Sequence, residues 1–195
     1  MRGVALVGLV VTGLVLGGCI RDPYVTNYDE IRSGEWWISQ QIDRVTGEEL
    51  PSASVYEYAS NTNEDFPKPS SFQMTCLDGK PVVRFAFAFK VGNDKDTVLG
   101  YRFDDRPGHE NVESRVLLGK QMVVIEEKAA LAQFMSELRG AQALYVRLRS
   151  MILGRTAVEY ALEGSEAAID AAFAKCPMPP LPSQPQRRAS QKRPN

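Results

Sequence analysis

A chain of 195 residues, 44% apolar and 24% charged, has room for one domain with a sizeable core and is not composed like a disordered one. Its formal charge of −1 hides an asymmetry: without Arg2 it is −2, and residues 177–195 carry Arg187, Arg188, Lys192 and Arg193 with no acid, so residues 19–176 carry −6. An acidic body argues against nucleic acid as the main partner, because phosphate binding needs a basic face.

The N-terminus has a positive start at Arg2, an apolar run over residues 3–16, and then Leu16-Gly17-Gly18-Cys19. The run falls short of the roughly 20 residues that span a bilayer and suits the apolar region of a signal peptide. Small residues just before a cysteine are the pattern of a bacterial lipoprotein leader. Residues 1–18 are therefore expected to be removed, and Cys19 to be lipidated and to hold the chain on a membrane. A plain secretory signal or a short anchor helix is the alternative. Ile20, rather than an aspartate, follows that cysteine, which favours the outer membrane. Residues 19–34 lack sustained periodicity and read as a tether.

The domain is expected over residues 35–176. Residues 36–42 and 53–59 read as strands, with residues 60–71, rich in Asn and Pro, as a loop. Residues 72–77 and 81–91 form a hairpin across Asp78-Gly79. In its second arm Val83, Phe85, Phe87, Phe89 and Val91 share a face that should be core, opposite Arg84, Ala86, Ala88 and Lys90. Strands follow at 97–103 and 121–126, separated by an exposed loop at 104–111. Ala130, Leu131, Phe134, Met135 and Leu138 have helical spacing closed by Gly140. Strands at 144–151 and 156–162 join through Gly154, and Ser165 is expected to cap a last helix whose stripe is Ile169, Ala172, Phe173 and Cys176. Prolines from Pro177 onward stop it, and residues 177–195 read as a disordered basic tail. The expected fold is thus α+β: a mainly antiparallel sheet, curled or sandwich-like, with two helices.

Of the three cysteines, lipidation of Cys19 leaves Cys76 and Cys176 as a pair. In an oxidising compartment they are expected to form a disulfide, the alternative being two buried free thiols. One histidine and no Cys-x-x-Cys pattern give no basis for a metal site, and no residue set calls for a cofactor.

His109 is the sole histidine and so the one available base for Ser-His-Asp chemistry, but it sits in a polar loop where a solvated role is the simpler reading. Asp104, Asp105 and Glu110 could form an acidic pair, without the alternation of a calcium loop. Arg102, inside a strand, could join Arg84 and Arg147 on one sheet face and hold an acidic peptide or glycan; each could equally cover apolar surface and pair with a nearby carboxylate. Of Trp36 and Trp37, one should be core and the other exposed as an interaction anchor, with Trp36 taken as the candidate. The basic tail could touch anionic lipid or serve only as a solubilising end.

Met74-Thr75-Cys76-Leu77-Asp78-Gly79-Lys80 before a strand, Tyr101-Arg102-Phe103-Asp104, Gly164 with Ala168-Ile169 and Cys176, and Trp37-x-Ser39 near the start resemble the TagO (VasI) family of periplasmic proteins or lipoproteins associated with type VI secretion. The resemblance spans residues 35–176. It implies a non-enzymatic accessory role in the cell envelope, with a protein partner, possible participation in a secretion assembly, and no catalytic residues to transfer. The expected function is accordingly a membrane-anchored, periplasm-facing interaction module. The alternative is a lipoprotein inhibitor of a muralytic enzyme such as lysozyme, with Asp104 and Asp105 in the wedge loop.

Overall fold

The computed structural model describes residues 25–176 and 178; the expected leader, Cys19 and, apart from residue 178, the basic tail lie outside them. The strands are β1 (Val25–Ser33), β2 (Trp36–Asp43), β3 (Glu49–Asn61), β4 (Lys68–Leu77), β5 (Lys80–Phe87), β6 (Thr97–Phe103), β7 (His109–Val112), β8 (Arg115–Leu117), β9 (Met122–Ile125), β10 (Ala143–Ser150) and β11 (Gly154–Ala161). The helices are α1 (Lys128–Leu138) and α2 (Ser165–Ala172). All the pairings are antiparallel, and the sheet curls into a half-barrel, as the sequence pattern leads one to expect. No helix among the described residues is long and apolar enough to cross a membrane.

The long strand β3 organises this sheet. One edge takes β4, from Ser52 to Ala59. The other is shared, with Glu49 to Ser54 facing β2, and Ser60 and Asn61 facing β11. The sheet therefore forks into one arm of β2 and β1 and another of β11, β10, β6 and β7. Between the arms Tyr56, Glu57 and Tyr58 are all exposed. The arms meet again where the Glu35 amide donates to the Glu163 carbonyl at 2.9 Å and the Trp36 indole to the Leu162 carbonyl at 3.3 Å. Here only glycine fits: a Cβ on Gly34 would lie 2.2 Å from the Glu163 carbonyl oxygen, and Gly34 and Gly164 have φ of +57° and +87°.

The expected aromatic face is core. Val83, Phe85, Phe87, Phe89 and Val91 are all buried, although β5 itself ends at Phe87. Phe134 of α1 enters this cluster with ring centroids 4.8 Å from Tyr101, 5.0 Å from Phe103 and 5.7 Å from Phe72. The side chain of Glu127 starts α1 by accepting from the Ala130 amide at 2.8 Å, and the backbone N–H groups of Ala129 and Ala130 hold its carboxyl below the usual range. The second helix buries Ala168, Ile169 and Ala172, and Phe173 follows them inward. The Cys76–Cys176 disulfide forms as expected and ties the end of this segment to β4 across a separation of 100 residues.

Four further details depart from the sequence reading. Part of the expected tether is strand β1, a sheet edge whose partner β2 supplies the pairing that its mixed composition does not announce. The expected loop at residues 60–71 shrinks because β3 runs on to Asn61 and β4 starts at Lys68, with Pro69 accepting from Ala88 at 3.0 Å through its carbonyl. Strand β7 occupies the end of the loop expected at 104–111. Finally, Ser165 is the first helical residue and is buried; the cap position belongs to Gly164.

Candidate functional site: an arginine- and tyrosine-lined groove

The alternation of β10 decides where the site lies. Leu144, Val146 and Leu148 point into the core, which sends Tyr145, Arg147 and Arg149 outward. On β11, Thr156, Val158 and Tyr160 are buried and Arg155, Ala157 and Glu159 point out. Register stacks the outward residues into rows: Arg102–Tyr145–Glu159, then Gly100–Arg147–Ala157–Ser60, then Val98–Arg149–Arg155. The small residues of the middle row leave an open groove of about 810 Å³, with Tyr58, Arg102, Tyr145 and Glu159 on its walls.

Side chains within the groove hold one another. The Arg102 guanidinium lies 4.9 Å above the Tyr145 ring. A hydrogen bond to Glu159 pushes the Tyr145 hydroxyl above its usual pKa, so the tyrosine donates to the carboxylate. Glu110 of β7 reaches across to pair with Arg147, and with Arg149 at 3.3 Å. Gly100 allows that approach, since a Cβ there would lie 3.0 Å from the His109 carbonyl oxygen. In the groove lining Arg102 and Arg147 face Glu110 and Glu159, with the exposed Asp105 beside Tyr145, while Arg149 and Arg155 stand on the next row, beyond the groove.

The expected site residues separate. Arg102 and Arg147 share the groove face, as supposed. Arg84 does not join them: it lies on β5, hydrogen-bonded to Gln73 of β4, with β3 and β4 between it and β11. Trp36 is fully buried and cannot be an exposed anchor; its neighbour Trp37 is the exposed one, at 37%, with the Arg32 guanidinium 5.3 Å from its ring. Asp105 is exposed beside Tyr145, whose hydroxyl its charge also pushes up. Asp104 braces the backbone instead. Its Oδ1 accepts from the Gln142 and Ala143 amides, both at 2.9 Å, and its own backbone is left-handed at φ 49°. Glu110 is committed to arginines, so the acidic residues of this loop do not converge, and no group of three or more metal-ligating side chains forms among the described residues.

His109 faces away from the groove. It is the register partner of Tyr101 on the inner face, ring centroids 4.8 Å apart, and its Nε2 lies 2.9 Å from Glu137 of α1. Arg106 donates to the Glu137 carbonyl at 2.7 Å, and burial, aided by the Glu137 charge, pushes the Tyr101 hydroxyl well up. This cluster fastens β6 and β7 to α1; the groove side of residue 109 carries its carbonyl.

Replacing Asp104 with alanine removes two backbone acceptor contacts and leaves a left-handed alanine, which should cost about 1–3 kcal/mol. Asparagine, which tolerates that conformation and keeps an acceptor, should recover most of it. Chemical denaturation of the two variants checks this, and equal stabilities would show that the contacts carry little.

Sequence reasoning did not assemble Tyr58, Tyr145, Glu159, Arg149 and Arg155 with Arg102 and Arg147. The outward alternation of β10 and β11 was visible, but the rows depend on which strands neighbour which.

No family model matches the chain, and no curated protein matches it significantly. Among solved structures, the crystal structure of invasion associated protein B from Bartonella henselae is similar over 75% of this chain and 97% of that one, at a TM-score of 0.49 and 14% identity. A likeness at that level identifies neither a family nor a function.

Proposed function

We propose that the protein is a lipid-anchored binding module of the bacterial envelope, which acts by docking an envelope component in the groove rather than by catalysis. One observation carries the reading: Arg, Tyr and Glu side chains from β6, β7, β10 and β11 converge on a groove, while the sole histidine is engaged with Glu137 and Tyr101 on the opposite side of the sheet. The leader pattern ending at Cys19 supports the anchor, and the resemblance to the TagO (VasI) family directs the docking role toward a secretion assembly. The alternative of a muralytic-enzyme inhibitor finds less support, because Asp104 of the wedge loop is occupied by backbone amides.

Cell fractionation together with in-cell photo-crosslinking tests the proposal. The native chain should sediment with membranes and incorporate labelled palmitate, and Cys19→Ser should not incorporate it. A photo-reactive residue at Ala157, on the groove floor, should give an adduct that one at Leu77, on the β4–β5 turn, does not. Palmitate incorporation unchanged in Cys19→Ser, or equal crosslinking from both positions, would count against it.

A further inference from the structure

We propose that the groove is a binding site for a carboxylated oligosaccharide, a ligand class that deepens the binding-module reading and rests on it for its biological setting but not for its chemistry. Charge is the first reason. Arg102 and Arg147 line the groove and Arg149 and Arg155 stand just beyond it, and guanidinium groups such as these grip planar carboxylates through paired N–H donors. The acids are the second. Glu159 and Glu110 stand among the arginines, so the groove offers strong acceptors as well as donors. An unbroken acidic peptide would meet both carboxylates head on. Sugar hydroxyls donate and accept, and suit a wall of alternating sign.

The aromatic residues are the third reason. Tyr145 is 40% exposed and Tyr58 is 68% exposed, both on the groove wall. A pyranose has one face of C–H groups, which are weakly positive and lie favourably on the negative face of a ring. The last is position. The groove crosses the outer face of the sheet over β6, β10 and β11, where β10 is paired along both edges, so a ligand on its floor meets outward side chains rather than main-chain groups. Gly100, Ala157 and Ser60 leave the floor open, and the volume of about 810 Å³ lies in the usual range for small-ligand sites.

The test is calorimetric titration of the full-length chain, purified in detergent, with tetragalacturonate at low ionic strength. Its methyl ester and poly-L-glutamate are the comparison probes. The free acid should bind, the ester should bind at least about tenfold more weakly, and Arg102→Gln and Arg147→Gln should each lose about tenfold, the worth of one charge-assisted hydrogen bond. Tyr145→Ala should lose a comparable factor. Lys80→Gln, an equal change of charge on the distant β4–β5 turn, should bind like the native chain. If an arginine variant does not fold, Ala157→Trp, which fills the exposed floor, takes its place and should abolish binding. Absence of binding by the native chain, equal affinity for the ester or for poly-L-glutamate, or equal losses in Lys80→Gln and Arg147→Gln would each overturn the site. Palmitate incorporation unchanged in Cys19→Ser would instead overturn the lipid-anchor reading and leave this binding intact.

Discussion

Replacing Cys176 with serine should destabilise the domain by up to about 4.7 kcal/mol, the chain-entropy value for a closed loop of the size that Cys76 and Cys176 define. The bond does more than shorten the unfolded chain. It ends the segment that carries Ile169, Ala172 and Phe173 into the core, and α2 itself is a short helix that cannot hold its conformation without packing. Domains of this size are stable by only about 5–15 kcal/mol, so the loss leaves a marginal fold. Guanidinium titrations of the native and Cys176→Ser chains measure it directly. Reduction of the native chain should reproduce most of the effect, and an unchanged midpoint in both experiments would mean that α2 is held by its apolar contacts alone.

The second large effect should come from Phe134→Ala, at about 3–5 kcal/mol. Phe134 has no exposure, and its ring is flanked by those of Phe72, Phe85, Tyr101 and Phe103, so truncation leaves a cavity where β4, β5 and β6 face α1. Phe66→Ala, at a residue 76% exposed, should change stability by no more than about 0.5 kcal/mol and serves as the internal comparison. Thermal and chemical unfolding of the pair gives the answer; similar losses in both would contradict the assigned core. Because Tyr101 sits between Phe134 and His109, loosening α1 should also loosen β7, and with it Glu110, the carboxylate that steadies Arg147 and Arg149.

What the sequence revealed followed its local signals. Alternation around Phe85, the Asp78-Gly79 turn, the helical spacing around Phe134 and the pairing of Cys76 with Cys176 all act over short stretches or by simple elimination, and each appears in the fold. Strand β1 escaped because an edge strand carries little apolar alternation and takes its shape from β2. The cap of α2 escaped because Gly164 is there for a different reason: the backbone of Ser33 passes too close for any Cβ. The tryptophan assignment was reversed because alternation places Trp36 and Trp37 on opposite faces without saying which face is inner. The groove was legible only in fragments. Arg102 and Arg147 could be suspected of sharing a face, but Glu110 joins them through the β6–β7 pairing and Ser60 through the β3–β11 pairing, neither of which any local pattern specifies.

The forked edge of β3 also sets an order of events. Strands β2 to β5 follow one another as hairpins and can pair as soon as they emerge during synthesis, whereas the end of β3 at Ser60 and Asn61 must wait for β11, almost a hundred residues later. Cys76 waits longer still, for the residue that closes its disulfide. Through that interval a growing chain holds a half-built sheet with open strand edges, the kind of surface on which chains join each other. Completion therefore depends on the C-terminal segment, and a chain interrupted before β11 should be a substrate for chaperones rather than a smaller folded protein.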